Sequence, residues 1–205
     1  MGLKMSVVII EGRPKCTVPE LIESFGFKNV LFNREDIFGN DLYPGKGIVA
    51  VSPGKNYTVI AHDTLPVSII NPDFSDKQYF YEITLRRYFE TGNMMAVLLH
   101  SVTNTYGMSM QKNGSYSFLY GSSGGLHRSK GRKTKIELDY LENSFTNEEG
   151  QTIFRVDGDE YTTDQLGENM VLWNVEDFTG LPSGTLAGWP TQVFTVSDEH
   201  LKRNN

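Results

Sequence analysis

The sequence predicts an α+β fold in which about three helices pack against a mostly antiparallel β-sheet. Three observations carry this prediction. Short apolar segments are joined by tight turns, as in antiparallel strands. Thr or Ser is followed three residues later by Glu or Gln at several positions, which marks helix starts. One longer segment has apolar residues at helical spacing. The length of 205 residues suits a single domain over 1–205, with a frayed tail over 198–205.

In the first half of the chain, the predicted elements are an interior strand at 6–10, a helix from 17 to 26, a strand at 29–32, a loop at 34–47 and a hairpin of 47–52 with 57–61. The helix begins at a capping box, since the Thr17 hydroxyl and the Glu20 carboxylate each satisfy a backbone N–H of the first turn. The hairpin turns at a Pro-Gly-Lys-Asn sequence.

In the second half, the predicted elements are a helix between 75 and 92, a strand at 95–102 that is covered on both faces, a hairpin centred on 113–114, a loop at 121–133, a half-exposed strand at 135–145 with 152–156 beside it, a helix from 162 and a last strand at 192–196. Capping boxes begin the first of these helices at Ser75 and the last at Thr162. Alternation of apolar and charged residues predicts the strand at 135–145.

Asn113-Gly114 is the strongest turn signal, because a two-residue type I′ turn needs a positive φ at both positions. This turn sets the register of the hairpin, with three expected pairs on one face: Gln111 with Tyr116, Ser109 with Phe118, and Gly107 with Tyr120. The row formed by Tyr116, Phe118 and Tyr120 is either core, if a helix covers it, or a partner-binding surface, if it is exposed.

The segment after this hairpin is basic. It contains Arg128, Lys130, Arg132, Lys133 and Lys135, which are 5 of the 19 Lys and Arg residues. Next to Gly-Ser backbone amides, these cations could bind a phosphate or an acidic protein surface. A solvated loop explains the same residues, since charge runs usually face water.

The stretch 121–125 has the form G-x-S-x-G, which is the pattern of a nucleophile elbow. That chemistry requires a helix after Ser123 and a downstream histidine, and only His127 and His200 lie downstream. The residues that follow Ser123 are poor helix formers. The segment is therefore predicted as a loop, and a serine hydrolase using Ser123 with His127 or His200 is kept as the alternative.

The remaining residue patterns give weaker indications of a metal or catalytic site. Asp157-Gly158-Asp159 resembles the start of a calcium loop, but Tyr161 and Thr162 replace required residues, so no metal is predicted. His62-Asp63 and His100-Ser101 lie beside apolar strands, where successive residues point to opposite faces, so neither pair is expected to act together. A hydrogen-bonded core position is expected for His100.

Composition narrows the classes of function. The net charge of −6 gives no reason to expect a nucleic acid or an anionic membrane as partner, and one cysteine excludes an internal disulfide. No segment approaches the length of a membrane span, so a cytoplasmic protein is expected. No cofactor is predicted.

The sequence also resembles an uncharacterised bacterial family of unknown function. The shared features are the Met-Gly-x-Lys start before an apolar strand, a strand ending in His100-Ser101, an aromatic near Tyr106, the Asn113-Gly114 turn, a Ser/Gly-rich stretch after Tyr120 and a helical segment over 168–180. The region 128–157 has no counterpart. Because the family has no assigned activity, the resemblance implies no catalytic residues.

These observations favour a non-enzymatic intracellular domain that binds another protein, such as an inhibitor or an immunity-type partner. The candidate binding residues are Tyr116, Phe118, Tyr120, Arg128, Lys130, Arg132 and Lys133.

Overall fold

A nine-stranded antiparallel sheet forms the centre of the chain, in the order β2-β12-β3-β4-β1-β5-β6-β7-β8. The computed structural model describes residues 4–39, 42–70, 83–122 and 126–197. The strands are β1 Lys4–Glu11, β2 Lys28–Ile37, β3 Ile48–Pro53, β4 Tyr57–Ala61, β5 Met94–His100, β6 Thr105–Lys112, β7 Ser115–Ser122, β8 Leu126–Gly131 and β12 Pro190–Ser197. A second sheet has the order β11-β10-β9. It consists of β9 Ser144–Thr146, β10 Thr152–Val156 and β11 Asp159–Thr162.

Helices lie on both faces of the large sheet. They are α1 Val18–Ser24, α2 Leu65–Ile70, α3 with 83–88 described, α4 Lys135–Leu141 and α5 Thr163–Thr179. Short 3-10 turns occur at Ser101–Thr103 and Ser183–Leu186. Three of the five described helices are seven residues or longer, in rough agreement with the prediction of about three. The α+β class with a large antiparallel sheet is confirmed.

Alternate residues of the central strands build two separate cores. On one face, Val8 and Ile10 of β1 pack with Leu21 and Ile22 of α1 and with Leu65 of α2. On the other face, Val7 and Ile9 of β1 share a cluster with Val171, Val175 and Phe178 of α5. Both faces of β1 are buried, and its central residues 7–10 form the uninterrupted apolar run expected of an interior strand.

The ring of Tyr106 joins the sheet to α5. Tyr106 is fully buried, and it faces Gly121 of β7 and Gly167 of α5. A Cβ atom on either glycine would overlap the ring, so only glycine lets strand and helix approach this closely. Gly167 therefore lies inside a helix, at a cost in helix propensity, because of packing.

The predicted hairpin register is confirmed at every pair. Gln111 faces Tyr116, Ser109 faces Phe118 and Gly107 faces Tyr120. Asn113 has a φ of 52° and Gly114 a φ of 75°, as a two-residue turn requires. The capping boxes at Thr17 and Thr162 are also present. The capping box at Ser75 and the tail over 198–205 lie outside the described residues.

Three predicted segments were wrong. Residues 34–37 belong to β2, 126–131 form β8 instead of a loop, and 135–141 form α4 instead of a strand. For α4, the decisive signal is Thr134, whose Oγ1 accepts a hydrogen bond of 3.1 Å from the Glu137 backbone N–H. This cap begins a helix despite the alternating pattern that follows.

The expectation that His62 and Asp63 point apart was also wrong. Because β4 ends at Ala61, both residues follow the strand, and His62 Nε2 lies 3.3 Å from Asp63 Oδ1. His62 Nδ1 accepts hydrogen bonds of 3.1 Å from the backbone N–H groups of Thr64 and Leu65. The buried imidazole thus satisfies backbone donors at the start of α2.

Replacing Gly167 by Ala should lower the free energy of unfolding by about 2 kcal/mol, since the new methyl group overpacks the Tyr106 ring. Gly184→Ala is the matched control. No atom lies within 4 Å of a Cβ at Gly184, so its effect should stay within about 0.5 kcal/mol. Urea unfolding measures both. A Gly167→Ala variant as stable as the unsubstituted protein would show that the ring does not fix this contact.

Candidate docking edges of the sheet

Strands β7 and β8 bring the predicted aromatic and basic residues onto one face. Arg128 lies directly opposite Tyr120, and Lys130 lies opposite Phe118. Directly opposite residues of antiparallel strands project to the same face. The Arg132 backbone N–H donates to the carbonyl oxygen of Tyr116 over 2.7 Å, which places it at the end of the same row. We call these six residues, Tyr116, Phe118, Tyr120, Arg128, Lys130 and Arg132, the basic-aromatic strip.

Burial divides the strip into two parts. Phe118 is 3% exposed and belongs to the core on the α1–α2 face, and Tyr116 and Tyr120 are half-buried against that core. Arg128 and Lys130 are exposed. The row is therefore mainly core with two partly accessible rings, and its cations form the accessible part of the strip.

Lys133 does not join this strip. Its Nζ donates to Ser129 Oγ over 2.8 Å, and Ser129 lies opposite Leu119 on the other face of the sheet. Basic side chains on an edge strand also have a purely structural role, since charges discourage pairing with another strand.

The neighbour of Arg128, His127, projects to the opposite face, where 6% of its side chain is exposed. Its Nδ1 lies 3.3 Å from the Tyr106 hydroxyl and its Nε2 lies 3.2 Å from Glu137 Oε1. Glu137 is 1% exposed. With a proton on Nε2, His127 donates a hydrogen bond to Glu137 and accepts one at Nδ1 from the Tyr106 hydroxyl. The cluster connects β6, β8 and α4 by polar contacts inside the protein.

The contacts of His127 argue against the alternative of a serine hydrolase. Ser123 and His200 lie outside the described residues. Both ring nitrogens of His127 already have partners, so the histidine lacks a free nitrogen for a serine hydroxyl in this arrangement. Among the described residues, no group of three or more His, Cys, Asp and Glu side chains is arranged to hold a metal ion.

The opposite edge of the sheet, β2, has a feature that the sequence did not reveal. Nine of its ten residues are exposed and the tenth is half-buried. Leu31, Phe32 and Ile37 are exposed by 64%, 59% and 61% of their surface. Three large apolar side chains are therefore exposed along one strand, although they do not form one contiguous patch.

Among the described strands, β2 pairs with β12 alone and so forms one edge of the sheet. The Phe32 ring meets the buried Phe194 ring edge-on, with centroids 5.6 Å apart, so it points toward the α1–α2 face. Leu31 is the next residue along the strand and points to the other face. Arg34 and Asp36 pair with each other, at 2.9 Å between Nε and Oδ2. The free edge therefore offers unpaired backbone groups with apolar side chains above and below.

The pattern Val30-Leu31-Phe32 predicted a strand from sequence, but its position at the edge depends on long-range pairing with β12. The sequence around these residues therefore gives no indication that their side chains are exposed.

Glu137→Ala should lower the free energy of unfolding by about 3 kcal/mol, because it leaves a buried polar imidazole without its carboxylate. Glu142→Ala removes an exposed carboxylate just after the same helix, and it should change this free energy by less than about 0.5 kcal/mol. Denaturant titrations of the two variants provide the comparison. Equal effects would contradict a stabilising role for the cluster.

Comparison of the chain with protein-family models, with curated proteins and with solved structures found no match. In the described part of the chain, no helix is long and apolar enough to cross a membrane. The site geometry is thus the basis for assigning a function.

Proposed function

We propose that this chain is a non-enzymatic protein-binding domain that takes up an extended segment of a partner protein along β2. The observation that carries the proposal is the free edge of this strand with Leu31, Phe32 and Ile37 exposed. Inhibitors and immunity-type proteins act through binding of this kind, without chemistry of their own.

Strand addition explains how such a segment binds. Backbone N–H and C=O groups on the free side of β2 pair with those of the incoming strand and supply sequence-independent affinity. Specificity then comes from side chains that alternate between the two faces of the sheet.

The partner segment should carry apolar residues on both of its faces near Leu31 and Phe32. Those residues would cover side chains that now contact water, and burial of apolar surface provides the driving force. Near the end of β2, the charges of Arg34 and Asp36 already satisfy each other, so the partner need not neutralise them.

The basic-aromatic strip is a second candidate surface, and the alignment of Arg128 with Tyr120 and of Lys130 with Phe118 favours it. It would bind an acidic segment. Strands β2 and β8 are the two ends of the sheet order. At a spacing of roughly 4.8 Å per strand they lie about 38 Å apart, so one added strand contacts only one of them.

Substitution of Phe32 by Ser should reduce recovery of the partner from a native lysate about tenfold, because it removes an aromatic group from the centre of the surface. The matched control is Val102→Ser, since Val102 is 71% exposed and lies outside β2. Quantitative mass spectrometry of captured proteins measures the ratio, and thermal unfolding verifies that both variants fold.

The same capture experiment distinguishes binding along β2 from binding to the basic-aromatic strip. If Arg128→Glu with Lys130→Glu abolishes recovery and Phe32→Ser does not, the partner binds the basic-aromatic strip and the β2 proposal is wrong. Size-exclusion chromatography of the purified protein tests whether a second copy of this chain binds along β2. A dimer that dissociates in the Phe32→Ser variant would identify that second copy as the partner.

A fluorophosphonate probe separates binding from hydrolysis. The probe should not react with Ser123, because both ring nitrogens of His127 are engaged with Tyr106 and Glu137. Labelling of the unsubstituted protein and of Ser123→Ala should therefore be equal. Labelling of the unsubstituted protein that disappears in Ser123→Ala would contradict the non-enzymatic proposal. Ser122→Ala serves as the control for a nonspecific change in this segment.

A further inference from the structure

A cleft between α4, α5 and β10 has a volume of about 370 Å³ and opens to solvent. It lies apart from both edges of the large sheet. Its walls carry two aromatic rings, those of Tyr140 and Trp173, and three charged residues, Asp139, Arg155 and Asp157.

The aromatic wall is held in place by packing. The Tyr140 and Trp173 rings are parallel within 2°, with centroids 5.4 Å apart. The edge of Tyr140 also meets the buried Phe154 at 6.4 Å and 89°. Trp173 lines the cleft, and 37% of its surface is exposed. A fixed, accessible aromatic surface of this kind attracts a cation through the negative face of the ring.

The charge of the cleft is negative. Arg155 is already paired with Glu160, with 3.1 Å between Nη2 and Oε1. Within the described residues, neither Asp139 nor Asp157 takes part in an ion pair. After burial, the charges of Asp157 and Asp139 are the next causes that raise the pKa of Tyr140, so both carboxylates act on the aromatic wall.

The position of Asp157 is fixed by the backbone. Asp157 has a φ of 53° and Gly158 a φ of 93°, and together they form the turn between β10 and β11. The residues that resemble a calcium loop therefore form a tight hairpin turn that projects one carboxylate at the cleft.

A guanidinium within the protein itself is held by the same kind of contacts. The Arg155 guanidinium stacks over the Phe145 ring at 4.5 Å while it pairs with Glu160. An aromatic face together with a carboxylate is thus sufficient here to position a guanidinium. The cleft presents a second such combination, and in the described part of the chain no guanidinium lies over the Tyr140 or Trp173 ring.

We propose that the cleft is a binding site for the guanidinium group of an arginine side chain on a peptide or partner protein. The planar guanidinium stacks on the exposed indole of Trp173 and donates hydrogen bonds to Asp139 and Asp157. A lysine ammonium is compact and strongly hydrated, so it gains less from a flat ring and from paired acceptors.

The test uses the full chain and the peptide acetyl-Gly-Arg-Gly-amide. Its counterpart contains citrulline, which keeps the shape of arginine and lacks the charge. The indole N–H resonance of Trp173, assigned with the variant Trp189→Phe, reports binding. The arginine peptide should shift this resonance saturably, with a dissociation constant of roughly 1 mM. The citrulline peptide should bind at least about tenfold more weakly, since it loses both the cation–π and the ionic contacts.

Asp139→Asn and Asp157→Asn should each weaken the arginine peptide about threefold, as expected for exposed ion pairs. Both preserve the fold, since both side chains are exposed and Asn tolerates the left-handed conformation at 157. Glu142→Gln removes a nearby carboxylate that does not line the cleft and should leave affinity unchanged.

Three results would overturn the proposal: equal binding of the citrulline peptide, unchanged affinity in the double variant Asp139→Asn with Asp157→Asn, or no saturable shift of Trp173. Equal affinity for a lysine peptide would overturn the assignment to a guanidinium.

Discussion

The buried ring of Tyr106 is the contact on which the second layer of the structure depends. It lies between Gly121 of β7 and Gly167 of α5, and its hydroxyl reaches His127, which in turn reaches Glu137 of α4. From its own strand β6, this side chain therefore contacts β7, β8 and α5 directly and α4 through His127. These contacts also fix the position of α4, which carries both Glu137 and Tyr140. The shape of the cleft lined by α4, α5 and β10 therefore depends on them.

The two edges of the sheet differ in how they meet solvent. Strand β8 is shorter, with six residues, and carries Arg128 and Lys130, and both features discourage pairing with other strands. Strand β2 is ten residues long and exposes three large apolar side chains. Its pairing with β12 shifts register at two points, and such irregularity limits uncontrolled association without closing the edge. The contrast favours β2 as the surface that a specific partner covers.

Local signals in the sequence were sufficient for the hairpin of β6 and β7, because the Asn113-Gly114 turn determines the register. They failed for α4, where alternation concealed the cap at Thr134, and for β8, where glycine and charge concealed a strand. The placement of Arg128 opposite Tyr120 could not be predicted while β8 was assigned as a loop. The cluster of Tyr106, His127 and Glu137 likewise depends on packing between distant segments.

The central claim is that a partner binds along β2, and amide hydrogen exchange of the captured complex tests it most directly. Exchange in the complex is compared with exchange in the free protein over all peptides of the chain. The account predicts slower exchange across 28–37 in the complex, with β8 unchanged, since an added strand pairs with the free backbone groups of β2. Protection confined to β8 or to the α4–α5 cleft, with β2 unaltered, would contradict it.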